Sequence, residues 1–258
     1  MDLEYPVEAG PKLAITEIGT PQPEGLHLVW GHGWGQSANA LLPLAETLKP
    51  YASSSLVDFP GFGRSSAPPA SWGTAEYADF VAEWIATLPA RRIWIGHSFG
   101  SRVGIQLAAR HPKVLSGMVL IAAAGLRRRR SFLENLSFQW RKTAFKTARR
   151  FVREGPQLDA LRRRFGSTDY RSAGAMRPIF NRVVNEGLSE QARAVQCRTL
   201  LIYGTADTET PPEMGERYKS LIPNSELALL TGFDHFSVLS EGRHQLAVRI
   251  RRFLEVAH

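Results

Sequence analysis

The chain has 258 residues, of which 43% are hydrophobic and 22% are charged, and it carries a formal net charge of +8. This composition is typical of a globular domain, and it excludes a disordered, collagen-like or disulfide-rich chain. The length suits one α/β domain, with or without an inserted lid.

The sequence carries no signal for export or for membrane insertion. Cys197 is the only cysteine, so an internal disulfide is excluded. The first residues are acidic and lack the basic-then-apolar order of a signal peptide. The longest apolar run, residues 119–124, is far shorter than the roughly 20 residues of a membrane-spanning helix. We therefore expect a cytoplasmic protein without a transmembrane segment.

Short apolar runs between turn-forming residues predict the strands of a mostly parallel sheet. Their residues are apolar at successive positions, which is typical of strands buried on both faces. The runs cover residues 26–30, 55–58, 93–95, 118–122, 199–203 and 227–230. An alternating pattern at 13–18 predicts an antiparallel edge strand. Helical spacing lies between the runs, at 75–88, 98–110, 212–221 and 245–256, which predicts an α/β fold with a doubly wound sheet.

Residues 126–193 differ from the rest of the chain in charge and in pattern. They hold 17 Lys and Arg against 6 Asp and Glu, a net charge of +11, whereas all other residues together carry −3. No strand-like run occurs there, and residues 131–153 have the apolar stripe of one or two amphipathic helices, which includes Trp140. We therefore predict a core formed by 1–125 and 194–258, with a basic helical cap inserted at 126–193.

The strongest chemical signal is the sequence Gly-His-Ser-Phe-Gly at residues 96–100. It follows one predicted strand and precedes a predicted helix, which is the setting of a nucleophile elbow. Small residues on both sides let the chain turn sharply, and the helix N-terminus favours negative charge at the serine hydroxyl. Ser98 is therefore the candidate nucleophile.

A serine nucleophile needs a base, and the base needs an orienting acid. Asp207 follows the predicted strand at 199–203 and His235 follows the one at 227–230, so both are expected at the same sheet edge as Ser98. The competing acids are Glu209 and Asp234, and the competing bases are His32, His97, His111 and His244. We select Asp207 as the acid and His235 as the base.

The glycine-rich loop Gly-His-Gly-Trp-Gly at 31–35 directly follows the first parallel strand. Such a loop can turn a backbone N–H toward the nucleophile, and the residue after the nucleophile supplies a second one. We assign the oxyanion hole to the N–H groups of Trp34 and Phe99. We also expect the side chains of Trp34, Phe99 and Trp140 to bind the substrate.

Together these motifs resemble the α/β-hydrolase superfamily along the whole chain. The residues that carry the resemblance are the 31–35 loop, Asp-Phe-Pro-Gly-Phe-Gly-Arg-Ser at 58–65, the 96–100 elbow, the 204–211 acid loop and Asp234-His235. The combination with a helical cap is similar to pimeloyl-[acyl-carrier protein] methyl ester esterases, meta-cleavage C–C hydrolases and carboxylesterases. The resemblance implies an α/β-hydrolase fold with a Ser-His-Asp triad.

We therefore expect a serine hydrolase that cleaves a carboxylic ester through an acyl-enzyme. Two alternatives stay open: a C–C bond hydrolase of the meta-cleavage type that uses the same triad, and a catalytically silent binding protein with this fold. The histidines lack the spacing of metal ligands, so no metal and no cofactor are expected.

The arginines of the predicted cap have three interpretations. They form a solvated surface, or they attract an anionic substrate or an acidic acyl carrier protein, or they bind nucleic acid or an anionic membrane surface. Because the sequence holds no helix-turn-helix, zinc-finger or RNA-binding motif, nucleic acid is not an expected partner.

Overall fold

The structure, a computed structural model, describes residues 2–5, 10–20, 25–88, 91–127 and 168–255, together with positions 140, 143 and 147. Eight strands form one sheet in the order β1-β2-β4-β3-β5-β6-β7-β8. They are β1 Asp2–Tyr5, β2 Leu13–Ile18, β3 Leu26–Gly31, β4 Ser53–Asp58, β5 Arg91–His97, β6 Gly117–Ile121, β7 Arg198–Gly204 and β8 Ser225–Leu230. All pairs from β4 to β8 are parallel, so the predicted α/β fold with a mostly parallel sheet is confirmed.

Strand β2 is antiparallel to both of its neighbours, as its alternating pattern predicts. It does not form the edge of the sheet, however, because β1 pairs outside it, with Asp2 opposite Thr16 and Tyr5 opposite Leu13. The edge position predicted for residues 13–18 is therefore wrong. A four-residue strand is too short for its pattern to be recognised before its partner is known.

The described helices lie between successive parallel strands, except for the last two, which follow β8. They are α1 Leu42–Leu48, α2 Thr74–Ile85, α3 Phe99–Arg110, α4 Thr168–Ser172, α5 Arg177–Asn185, α6 Ser189–Ala194, α7 Pro212–Leu221, α8 Ser237–Ser240 and α9 Arg243–Glu255. Short 3₁₀ turns occur at Ala38–Ala40 and Gly174–Met176. Within the described ranges, no helix combines the length and the apolarity needed to cross a bilayer.

The sheet is buried on both faces, which explains the continuous apolar runs. In β5, Trp94 packs into the cluster that contains the buried faces of α2 and α3. Its neighbours Ile93 and Ile95 pack into the opposite cluster, with α1 and α9. Successive side chains of a strand point to opposite faces, so a strand with helices on both sides is apolar at every position.

The predicted cap at 126–193 is described only in part, and most of the amphipathic pattern at 131–153 lies outside the described residues. Its continuous described part, residues 168–193, contains α4, the second 3₁₀ turn, α5 and most of α6. The segment is tied to the core by Glu186, whose carboxylate accepts hydrogen bonds from the backbone N–H of Thr74, at 3.1 Å, and from the Thr74 hydroxyl. These bonds anchor the end of α5 to the start of α2.

A network of hydrogen-bonded polar side chains links β2, β3 and β4. Because the Ser55 hydroxyl donates to Glu17 (2.7 Å), it accepts from Nε2–H of His27 (2.6 Å). Nδ1 of His27 then accepts from the Ser53 hydroxyl (2.7 Å). The imidazole is thus satisfied in its neutral form, and burial lowers the pKa of His27 to about 4.

Burial of histidine predicts a loss of stability in acid. Burial also lowers the pKa of His32 to about 4 and that of His97 to about 3, whereas histidine in an unfolded chain titrates near about 6.5. Between these values the unfolded chain binds more protons, so the free energy of unfolding falls as the pH drops from about 6.5 toward about 4. Each such histidine contributes about 1.4 kcal/mol per pH unit in this window.

Urea denaturation between pH 4 and pH 7 measures this dependence. His27→Gln should reduce the slope of the free energy of unfolding against pH by roughly the contribution of one histidine. His244→Gln, a change at an exposed position, should leave this slope unaltered. Equal slopes in both variants and the wild type would contradict the assignment.

Candidate active site

Ser98 lies in the sharp turn that joins β5 to α3. Its backbone has φ +48° and ψ −101°, a conformation that is strained for a residue with a side chain. The turn leaves no room for side chains at its flanks: a Cβ at Gly96 would collide with the carbonyl of Gly100, and a Cβ at Gly100 with that of Gly31. The two glycines therefore let β3, β5 and α3 approach closely enough to project the serine from the sheet.

His235 connects Ser98 with Asp207. Nε2 of His235 lies 3.0 Å from the Ser98 hydroxyl oxygen, and Nδ1 lies 2.8 Å from Oδ2 of Asp207. A carboxylate can only accept, so Nδ1 carries the proton and Nε2 is free to accept from Ser98. The structure thus brings together the three residues that were selected from distant parts of the sequence.

Asp207 is held in the ionised form by its hydrogen bonds. Burial alone would raise the pKa of this carboxyl, but the hydrogen bond and the charge of His235, together with Thr210, lower it below its usual value. Oδ1 accepts from the backbone N–H groups of Glu209 and Thr210, both at 2.8 Å, and Oδ2 accepts from the Thr210 hydroxyl at 2.7 Å. The loop after β7 therefore fixes both the charge and the orientation of the acid.

The two competing acids occupy different positions. Oε2 of Glu209 is 3.7 Å from Nε2 of His235, on the side of the ring that faces Ser98, and so it does not orient Nδ1. Asp234 is exposed and accepts hydrogen bonds from the backbone N–H groups of Phe236 and Ser237, which closes the turn that carries His235.

Of the four competing histidines, two form hydrogen bonds beside the site and two lie away from it. His32 is buried, donates from Nδ1 to the carbonyl of Gly33 at 2.7 Å and accepts at Nε2 from the N–H of Phe59 at 3.1 Å. His97 donates from Nε2 to the backbone carbonyl of His235 at 3.0 Å. His111 pairs with Asp79 on the far end of α3, and His244 is exposed.

The loop after β3 is locked against the elbow. The N–H of Gly100 donates to the carbonyl of His32 at 2.9 Å, and the N–H of Gly33 donates to the Gln36 side chain at 2.9 Å. The same Gln36 oxygen lies 3.3 Å from Nδ1 of His97. The bond from Gly100 therefore joins the elbow to the glycine-rich loop, and His97 joins the elbow to the backbone of His235.

A cavity of about 220 Å³ opens at Ser98. Its apolar lining consists of Trp34, Phe99, Ala124, Phe180, Val183 and Val184, and its polar lining of Ser98, Arg102, Asp169, Glu209, Thr210 and His235. The indole of Trp34 makes edge contacts with the rings of Phe99 and Phe180, with centroids 5.5 and 5.1 Å apart. Trp34 and Phe99 thus lie where the sequence places them, at the cavity wall.

Trp140 does not belong to this cavity lining, and its side chain is 73% exposed.

A second cavity, of about 340 Å³, lies between β8 and α9 and contains none of the residues around Ser98. Within the described residues, no three His, Cys, Asp or Glu side chains are grouped closely enough to hold a metal ion. Cys197 packs against the core, and burial raises the pKa of its thiol to about 11.

Several cavity residues were not singled out from the sequence. Arg102 follows Ser98 by four positions, so one helical turn of α3 places it beside the nucleophile, a signal that the sequence does contain. Thr210 follows Asp207 by three, within the same loop. Asp169 and Phe180 come from α4 and α5, and no sequence spacing links these helices to Ser98.

Solved structures with a similar architecture include three hydrolases. A membrane phospholipase A described as a bacterial virulence factor has a TM-score of 0.77 and 24% identity, over 100% of this chain and 86% of that one. An esterase from Exiguobacterium antarcticum has a TM-score of 0.75 and 19% identity, over 99% and 100%. The enol-lactonase from Burkholderia xenovorans LB400 has a TM-score of 0.71 and 21% identity, over 95% and 97%. At these identities the likeness concerns the fold.

The sequence also matches the model of a protein family, the alpha/beta hydrolase fold, over residues 27–241. This range begins in β3 and ends after α8, so it contains the glycine-rich loop, the elbow, the acid loop and His235. The match covers most of the chain and agrees with the observed sheet order and with the serine at the β5–α3 turn. The chain belongs to the alpha/beta hydrolase fold family.

Proposed function

We propose that the protein is a serine hydrolase that cleaves a carboxylic ester through an acyl-enzyme intermediate. One observation carries the proposal: the hydrogen-bonded series Ser98–His235–Asp207, with separations of 3.0 and 2.8 Å, beside a cavity with an apolar wall. A hydroxyl is nearly inert at neutral pH, and an aligned imidazole and carboxylate are the groups that activate it.

In the first half of the reaction, Ser98 attacks the acyl carbonyl while His235 removes its proton at Nε2. Asp207 holds the imidazole in the required tautomer and stabilises the imidazolium that forms. The same Nε2 proton then passes to the oxygen of the departing alcohol. Water, activated by His235, releases the acid and restores the serine.

The negative charge on the carbonyl oxygen requires donors that are in place beforehand. The backbone N–H groups of Trp34 and Phe99 suit this role, because both residues line the cavity beside Ser98. Within the described part of the chain, neither group donates to a backbone carbonyl. Phe99 is also the first residue of α3, where the positive end of the helix dipole adds to the effect.

The apolar wall of Trp34, Phe99, Phe180 and Val183 suits an uncharged acyl group. The similar solved structures support ester cleavage as the reaction class, because a phospholipase, an esterase and a lactonase all act on ester bonds. No described contact favours C–C bond cleavage or loss of activity over ester hydrolysis.

An acidic acyl carrier protein as a partner remains a prediction from the sequence. Most of the basic excess at 126–193 comes from Lys and Arg in 128–167, since residues 168–193 hold only four Arg against three Asp and Glu. Hydrolysis of an ester linked to a carrier protein should weaken steeply with salt if this interaction exists, and a free neutral ester should not respond.

Replacing the nucleophile should abolish ester hydrolysis. Ser98→Ala should lower kcat toward p-nitrophenyl esters by roughly 10³-fold to 10⁶-fold, because the acyl-enzyme can no longer form. A fluorophosphonate probe should label the wild-type protein and fail to label this variant. Ester hydrolysis that survives the substitution in a folded variant would overturn the proposal.

The acid should be identifiable by a matched pair of substitutions. Asp207→Asn should lower kcat by roughly 10³-fold to 10⁴-fold, because the amide no longer fixes the tautomer of His235 or stabilises the imidazolium. Asp234→Asn changes the adjacent, exposed carboxylate and should retain activity within about threefold. Similar losses in the two variants, measured in the same ester assay, would contradict the assignment of Asp207.

A further inference from the structure

Glu209 lies next to the atom that delivers the proton to the leaving group. Its Oε2 is 3.7 Å from Nε2 of His235, the nitrogen that also faces Ser98. The backbone of Glu209 is fixed, because its N–H donates to Oδ1 of Asp207 at 2.8 Å. The side chain is 54% exposed, so it borders the cavity at its solvent side.

Asp169 adds a second carboxylate to the same cavity, from α4. Burial raises the pKa of both carboxyls, the charge of His235 opposes this shift, and the carboxylate of Asp169 raises the pKa of Glu209 further. Within the described residues, neither carboxylate forms an ion pair with Lys or Arg. Among the described residues of the cavity lining, the one Lys or Arg is Arg102, which donates to the carbonyls of Val183 and Glu186, at 2.8 and 3.4 Å, and so faces α5.

This arrangement leaves a negative potential on one side of the reacting atoms. Nε2 protonates the oxygen of the departing alcohol, so the alcohol lies beside Nε2 and therefore beside Glu209. A positive group two carbons beyond that oxygen is three bonds away, or roughly 3–4 Å, which is close enough for direct contact with the carboxylate.

We propose that Glu209, supported by Asp169, is a specificity-determining residue that selects esters with a positively charged leaving group over esters with an anionic one. The substrate class is an ester of an alcohol that carries an ammonium group. This inference rests on the proposed ester hydrolysis and specifies its substrate. It concerns the leaving group alone and places no charge on the acyl group.

The size of the effect follows from the exposure of the carboxylate. Two unit charges a few ångströms apart near a protein surface interact far more weakly than in the interior, and exposed pairs are screened further by water and salt. We expect a preference of about tenfold in kcat/KM for a cationic over an isosteric neutral leaving group, and a similar factor against an anionic one. The preference should shrink as the salt concentration rises.

The test uses three butyrate esters whose alcohols are cationic, neutral and anionic. They are butyrylcholine, its uncharged isostere 3,3-dimethylbutyl butyrate and the butyrate ester of 3-hydroxypropionate, followed by acid release in a pH-stat. The readout is the ratio of kcat/KM values within one enzyme, so any general change in the rate cancels. Glu209→Gln should reduce the cation preference to about twofold or less, and Glu209→Lys should reverse it.

The control variant is Glu226→Gln. Its carboxylate is as exposed as that of Glu209, at 53%. It lies at the start of β8, however, and so at the amino ends of the parallel strands, away from Ser98. It should keep the wild-type ratios.

A wild-type ratio near one, or ratios that do not change in Glu209→Gln and Glu209→Lys, would overturn the inference while Ser98-dependent hydrolysis of the neutral ester continued. Absence of Ser98-dependent hydrolysis with all three esters would instead refute the proposed function.

Discussion

The parallel alignment of β5, β7 and β8 is the constraint on which the site depends. Ser98 directly follows β5, Asp207 is three residues beyond the end of β7, and His235 is five beyond the end of β8. Because these strands run in the same direction, their carboxyl ends lie at the same end of the sheet. Short loops are then enough to bring the three side chains into contact. A reversed strand would place its loop at the opposite edge.

The net charge of the whole chain differs in sign from the charged groups near the reacting atoms. The excess of arginine at 126–193 gives the chain its net positive charge, and such an excess acts on the approach of a partner over a distance set by salt. Near the reacting atoms the described residues contribute mainly acids, because Asp207 and Glu209 lie beside the imidazole of His235 and Asp169 lines the same cavity.

The serine at the β5–α3 turn and the fold class could be predicted because their signals are local. Glycines at 96 and 100 are required by backbone contacts with the strand and helix that the serine itself joins, so strand, turn and helix are visible in one stretch of sequence. The parallel strands were predictable for a related reason, since burial on both faces imposes apolar residues at successive positions. Strand β1, which lacks such a run, was not predicted.

The sequence by itself determined that Ser98 is the candidate nucleophile, that the sheet is mostly parallel and in what order the loops follow. Each of these is encoded by neighbouring residues. Only the tertiary structure decided which carboxylate serves His235: Asp207 and Glu209 are two residues apart in one loop, and the choice depends on which of them reaches Nδ1 and which faces Nε2. It likewise decided that Asp169 and Phe180 line the cavity, because contacts between distant segments arise from packing and leave no periodic pattern in the chain.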